Sequence, residues 1–244
     1  MVFTQLGDKQ PMKGNTVEWR KFNTFAPALT PLTEGVIPTG QTFGMTAITA
    51  NTTQHGDYVA VTDRLEMESY DDVIYGATEE MGAAEGVTFD TLTRNILVAG
   101  NSKVFAPKIG ADGSETPVES RAELDATAIL TPKLVAQIAT WLKKNKAPKI
   151  NGYYVMVIHP SQAYDLRQST DWVEAHKYAD VAPIFNGEIG TLHGIRFIES
   201  NTVKVYKTGS GPATYAAIAL GAKAFGVLDP AGEGMEMIIK DKSQ

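Results

Sequence analysis

Between Ser69 and Ala99 the chain reads SYDDVIYGATEEMGAAEGVTFDTLTRNILVA, a proline-free run with apolar residues at helical spacing. Val73, Ile74, Ala77, Met81 and Ala84 recur every three to four positions. Phe89, Leu92, Ile96 and Leu97 continue the stripe after a drift. Ser69, with Asp72 three residues on, has capping-box character, and Gly100 is a natural terminator. At ~1.5 Å per residue such a helix is roughly 45 Å long. Gly76, Gly82 and Gly86 each weaken it by up to ~1 kcal/mol relative to alanine, which leaves it free to bend near Gly86. A chain of 244 residues cannot surround a helix of that length on all sides. It must be a backbone element with a face left for something else.

What precedes the helix is equally poor at burying itself. Pro11, Pro27, Pro31 and Pro38 punctuate the first forty residues, with Gly14, Gly35 and Gly40 between them, which forbids a long helix or a central strand there. Within this arm only TVEWRKF (16–22) alternates, as an edge or docking strand would. Residues 41–67, QTFGMTAITANTTQHGDYVAVTDRLEM, are rich in Thr, Val, Ile, Phe and Tyr, and Gln54 to Asp57 supply a turn. The pattern predicts a hairpin of two strands, about 30–40 Å long at ~3.4 Å per residue. Neither face of its first strand is strongly apolar, and a two-stranded ribbon alone is marginal. Either a sheet partner within the chain or something outside it must hold the ribbon.

After a Gly-, Pro- and Ser-rich loop (101–120), Thr131-Pro132 opens a second helix with a hydroxyl N-cap and proline at its first position. Its stripe is Leu134, Val135, Ile138, Trp141 and Leu142, and it closes on Lys143, Lys144 and Lys146, cations suited to a helix C-terminus. A strongly apolar strand follows (153–158), ending at His159-Pro160, then a helix from Ser161 to Arg167. Short strands are expected at 194–199, 202–207, within 215–229 and at 235–240. The class is α+β with no regular β–α repeat.

Composition excludes several chemistries. There is no cysteine, which removes disulfides, thiol nucleophiles and thiolate metal sites. The formal charge of −6, from 22 basic and 28 acidic residues, argues against a dedicated nucleic-acid binder. No run of 18 apolar residues occurs, and residues 1–15 carry no apolar stretch of signal-peptide type. His55, His159, His176 and His193 are never at metal-pair spacing, and only His159, at a strand end, stands where catalysis is often found. Asp71-Asp72 suits a helix N-terminus, and Glu66, Glu68, Glu79 and Glu80 suit a solvated face. Neither a phosphate loop nor a nucleophile elbow is present. No catalytic, cofactor-binding or metal residue is assigned, and no cofactor is expected.

Five separated blocks carry a resemblance: TPLTEGVIPTGQTF (30–43), GDYVAVTDRLEMES (56–69), EEMGAAEGVTFDTLTRNILVAG (79–100), YYVMVIHPSQAYDLR (153–167) and NGEIGTLHGIRFIES (186–200). In type and order they resemble the N4 phage-type major capsid protein family of tailed phages. The resemblance implies the Hong Kong 97-type capsid fold: an N-terminal arm (1–40), an extended hairpin loop (41–67), a peripheral domain (68–147) containing a spine helix (69–99), an axial domain (148–230) and a return strand to the peripheral domain (231–244). It implies a structural, non-enzymatic subunit that assembles with itself, as hexameric and pentameric capsomers, into an icosahedral shell enclosing double-stranded DNA. The expected partners are further copies, with scaffold, portal or decoration proteins and non-specific proximity to packaged DNA, but no membrane. The expected location is the virion capsid, assembled in the host bacterial cytoplasm. Set against that family, the arm is expected to be shortened and the chain to stop early at IIKDKSQ, as in a truncated or processed form or an ordered portion alone. No motif picks out the lysine–asparagine pair that crosslinks some relatives of the fold. Three alternatives compete. An encapsulin-like nanocompartment subunit would share the fold and enclose a cargo enzyme. A soluble enzyme with a dispersed acid–base site would show a polar pocket with perturbed titratable groups. A receptor-binding module would need an exposed patch, for which Trp19, Trp172 and Tyr178 are scattered candidates.

Overall fold

A computed structural model of the chain describes residues 2–3, 6–12, 16–169, 172, 188–207, 211–230 and 238. The first half holds β1 (Asp8–Met12), β2 (Thr16–Phe22), β3 (Met45–Asn51), α1 (Asp63–Glu68), α2 (Val73–Ala99), β4 (Lys108–Ile109), β5 (Glu115–Thr116) and α3 (Pro132–Lys144). The second half holds β6 (Tyr154–Ile158), α4 (Pro160–Gln168), β7 (Glu188–Leu192), β8 (Ile195–Glu199), β9 (Val205–Tyr206), β10 (Thr214–Tyr215), β11 (Ile218–Leu220) and β12 (Gly226–Pro230). The chain divides into two compact units: residues 1–8 with 74–226, and residues 9–73 with 227–244.

The larger unit is organised by one mixed sheet of strand order β11-β6-β8-β7. β6 runs parallel to β8, and the flanking pairs are antiparallel. All five residues of β6 are buried, as a central strand covered on both faces requires. The period-2 rule divides them. Tyr154, Met156 and Ile158 join α3, α4 and β8 in the main core, while Val157 meets Phe3 and Val203 in a second cluster. Two-residue turns fix the sheet ends. Asn151-Gly152 and His193-Gly194 all have positive φ (49°, 88°, 51° and 81°). That is the requirement of the tight hairpin turn whose twist matches its strands, and an Asn-Gly pair meets it readily.

α3 forms as its sequence dictates. Thr131 Oγ1 accepts from the Leu134 N–H, Pro132 occupies the first position, and Lys143 and Lys144 sit in the last turn. Leu134, Val135, Ala139 and Leu142 are buried. Trp141, expected in the stripe, is instead 45% exposed, because it lies at the edge of that stripe in the final turn. α2 runs unbroken for 27 residues, about 40 Å, through Gly76, Gly82 and Gly86. It begins at Val73 rather than Ser69. The Ser69 hydroxyl donates to the Asp71 carbonyl and accepts from its N–H, so the expected capping box with Asp72 does not form. Ser69 instead closes α1, its N–H bonded to the Leu65 carbonyl. The only buried residue of α2 is Asp90, whose Oδ2 accepts the Val2 N–H at 2.7 Å. The 101–120 loop carries a small hairpin, β4–β5, not expected from its composition. Gly113 at its tip has φ 79°.

In the smaller unit β1 pairs with β12, and β2 pairs antiparallel with β3. The second pairing corrects the expected hairpin. β3 does not fold back on residues 57–67; its partner is the arm strand 16–22, in register from Thr16 opposite Asn51 to Phe22 opposite Met45. Local bonds explain why 52–62 forms no strand. The Thr53 hydroxyl meets the His55 ring at 3.0 Å, the Tyr58 N–H donates to Asp57, and Thr62 caps α1. Such side-chain bonds compete with a ladder. The strand expected at 235–240 lies outside the described residues, apart from Ile238.

Candidate assembly surface

From residue 16 to residue 72 no side chain is buried, although the segment holds two paired strands and a helix. Secondary structure without a core of its own is the signature of a surface completed by something else. The ribbon continues past its strands. The Asn23 N–H bonds the Gly44 carbonyl, and the Gln41 side chain both accepts from the Ala26 N–H (3.0 Å) and donates to its carbonyl (2.8 Å). Residues 16–26 therefore lie along 41–51, a span of about 35 Å at ~3.3 Å per residue. Beyond it, residues 27–40 form a tip in which Gly35, at φ 79°, is third in a turn closed by Val36 N–H to Thr33 O. A residue with a Cβ is disfavoured at that angle.

The apolar content of this unit faces outward. Phe22, Phe43 and Phe25 stack in series, with ring centroids 5.0 and 5.7 Å apart, and each stays more than half exposed. Leu29, Leu32 and Ile37 at the tip are 84%, 77% and 93% exposed, and Met67 and Tyr70 are as open. In the larger unit α2 presents an exposed strip of mixed character, Tyr75, Ala83, Ala84 and Val87 with Glu79 and Glu80, at helical spacing. A soluble monomer seldom exposes apolar groups in continuous patches of this kind.

Of the residues considered for chemistry, the described ones sit in a helix cap, in exposed segments or in packed positions. His159 is the N-cap of α4. Its Nδ1 accepts from the Ser161 N–H at 3.2 Å, Gln162 Oε1 accepts from the His159 N–H, and its ring stacks on Tyr215 at 4.4 Å. Burial holds its pKa below the ordinary histidine value. His55 sits in an exposed irregular segment and His193 in an exposed turn, and His176 and Tyr178 lie outside the described residues. Trp172 is buried edge-on against Phe197 and Trp19 is half-buried in the ribbon, so neither presents a binding patch. Among the described residues no group of three or more His, Asp or Glu could hold a metal ion. No helix among them is long and apolar enough to cross a membrane.

The larger unit contains a cavity of about 590 Å³, with Leu97, Phe105, Ile129, Met156 and Leu220 in its wall. Arg121, also in the wall, stacks on Tyr206 at 3.6 Å. Asp125 there is held ionised by the Thr127 hydroxyl, then the Thr127 N–H and Lys108. Asp112 is lowered in the same way by the hydroxyl and N–H of Ser114, and Glu123 by the hydroxyl of Ser120 and the N–H of Glu119. These are carboxylates closing solvated turns, not acids raised toward neutrality for proton transfer.

Comparison with known proteins points the same way. The fold is similar to a chain of the capsid of cyanophage P-SCSP1u, at TM-score 0.65 and 16% identity, covering 92% of this chain and 73% of that one. It is similar to the capsid of Ralstonia phage GP4, at TM-score 0.60 and 15% identity, covering 90% and 72%. A Mycobacterium phage Che8 chain matches at TM-score 0.52 and 19% identity, covering 88% and 84%. None of the curated proteins matches. The fold is thus the α+β type of Hong Kong 97-like capsid structures, as the resemblance implied. The model of the phage capsid protein family matches residues 53–227, well over half the chain. The chain therefore belongs to the phage capsid protein family, and it is a structural subunit of a phage capsid.

Proposed function

We propose that the ribbon of residues 16–51, with its tip at 27–40, is the element by which each subunit reaches onto a neighbouring copy. The observation that carries this is the absence of any buried residue from 16 to 72. The ordering of that segment costs roughly 1–2 kcal/mol per residue in backbone entropy, and no core within the chain offsets it. A neighbouring copy would. The extended loop that the sequence assigned to 41–67 accordingly becomes 16–51, and the arm proper is confined to the residues before Thr16. In this reading α2 is the spine of the peripheral domain, with residues 148–230 as the axial domain meeting its symmetry mates. Residues 231–244 return to the peripheral domain.

The narrower N4 phage-type membership belongs to the same proposal. So do hexameric and pentameric grouping, enclosure of double-stranded DNA, assembly in the host cytoplasm, and partnership with scaffold, portal or decoration proteins. The test is to replace residues 27–40 by a two-residue Asn-Gly turn. The expected variant is folded, with the far-ultraviolet circular dichroism of the parent, but forms no closed particles by electron microscopy. Normal shells from the shortened ribbon would refute the reading.

A further inference from the structure

Charge is distributed unevenly along this chain. From residue 126 to residue 164 there is no Asp or Glu, and again none from residue 200 to residue 228. These two stretches hold eight lysines; the rest of the chain holds the other 14 basic residues and all 28 acidic ones. The fold puts the stretches together, since β11 from one pairs with β6 from the other. At the C-terminal end of α3 the lysines converge. Lys143, Lys144, Lys146 and Lys149 are all exposed. The turn bearing exposed Lys223 abuts them, its Ala222 N–H bonded to the Pro148 carbonyl at 2.8 Å. Lys133, by contrast, is paired with Glu115 at 2.7 Å. None of the five clustered lysines has a carboxylate partner among the described residues. Trp141, one helical turn before Lys144, is 45% exposed.

The helix C-terminus accounts for two of these cations in the last turn. It does not account for Lys146 and Lys223, for the missing acids over two long stretches, or for the exposed Trp141 three residues before Lys144; Lys149 lies over the Tyr154 ring at 5.8 Å. An exposed large aromatic on the face of a helix that ends in cations is the make-up of an interface anchor. We infer that this lysine lobe docks on the exposed strip of α2 in a second copy of the chain, Lys143, Lys144 and Lys146 meeting Glu79 and Glu80 while Trp141 lies on Ala83 and Ala84.

The complement is on the same molecule. Glu79 and Glu80 are exposed and have no ion-pair partner among the described residues, and the small side chains beside them let a ring approach the helix backbone. Two unlike patches on every copy make a heterologous contact, the kind that closes rings when the rotation permits. DNA is the rival polyanion. The chain carries a net charge of −6, and phosphate binding gives no reason for an exposed indole one helical turn before Lys144. The contact uses neither the ribbon nor its tip, so it rests on self-assembly alone.

The experiment mixes equal amounts of unlabelled and nitrogen-15-labelled full-length chain at high concentration. A carbodiimide joins adjacent lysine and carboxylate side chains, and mass spectrometry maps the pairs. The expected products are mixed-isotope crosslinks from Lys143, Lys144 or Lys146 to Glu79 or Glu80. They should fall steeply between about 0.1 and about 1 M salt, where the screening length shrinks from about 10 to about 3 Å. Crosslinks from these lysines only to other carboxylates, only within one chain, or to none would overturn the assignment.

Charge reversal gives the second arm. Lys143→Glu with Lys144→Glu should slow association on the order of tenfold or more, as steering contacts do. Adding Glu79→Lys and Glu80→Lys should restore it. Failure of the fourfold variant to recover, with its melting curve intact, contradicts the pairing. So does unchanged self-association accompanied by lost retention on immobilised double-stranded DNA, which would assign the lobe to nucleic acid.

Discussion

Ile37 offers a sharp test of the ribbon, because the free subunit gives it nothing to do. It is 93% exposed, in a tip with no buried residue. Exposed substitutions away from caps and strained backbone stay within about 0.5 kcal/mol, so Ile37→Ser should leave the urea midpoint of the dissociated chain where it is. In a contact between copies the same side chain, fully covered, contributes about 1.5–3 kcal/mol. At ~1.4 kcal/mol per tenfold, its loss weakens each contact by roughly 10- to 100-fold. Every subunit repeats the contact, so the whole effect appears in the concentration at which particles form. Light scattering against protein concentration reads that threshold, and Glu34→Gln on the same exposed turn is the control. An unchanged threshold refutes the assignment of the tip to a neighbour. A fall of more than about 1 kcal/mol in the stability of the free chain refutes the premise that the tip lacks a core.

Two further outcomes test the larger unit. Phe197 has no exposed surface and packs edge-on against Trp172, so Phe197→Ala should cost about 3–5 kcal/mol in chemical denaturation, and a loss under about 1 kcal/mol would mean the core is misassigned. His159 has a folded-state pKa below its ordinary 6.5 through burial, so the unfolded chain binds that proton first; its stabilising contribution is complete above about pH 6.5 and declines as pH falls through the folded-state value. His159→Asn puts an amide oxygen in place of the capping Nδ1 and removes the titration, so its melting temperature should fall less between pH 7 and pH 5 than that of the parent, and equal falls would contradict the argument.

The larger unit was legible because its elements satisfy themselves. Thr131-Pro132, the stripe from Leu134 to Leu142 and the apolar run 153–158 each state a local rule, and the core obeys them except at Trp141 and Tyr153, which are 45% and 37% exposed. Errors there were of boundary: α2 starts at Val73 because Ser69 is spent on closing α1, and β4–β5 is too short to show a period. His159 drew attention as a candidate site, yet a histidine before Pro160 and three residues ahead of Gln162 also spells the capping box it forms. Lys143, Lys144 and Lys146 were read as a helix terminus; that the turn bearing Lys223 lies beside this segment shows only in the fold, where the Ala222 N–H bonds the Pro148 carbonyl.

The ribbon failed differently, and the failure is informative. Register in a sheet is specified by which face is buried, and β2 and β3 bury no residue on either face. With no buried face, alternation cannot distinguish pairing of 45–51 with 57–67 from pairing with 16–22. What decides is backbone and turn chemistry. Asp57, Thr53 and Thr62 commit 52–62 to local bonds, whereas Gln41 and Gly44 hold 41–44 to 23–26. A strand whose packing partner lies on another copy lacks the apolar face by which a single chain announces its register. On the proposed reading, the poor legibility of residues 16–72 and their role between subunits have one physical cause: the core that would have patterned this sequence is supplied by its neighbours.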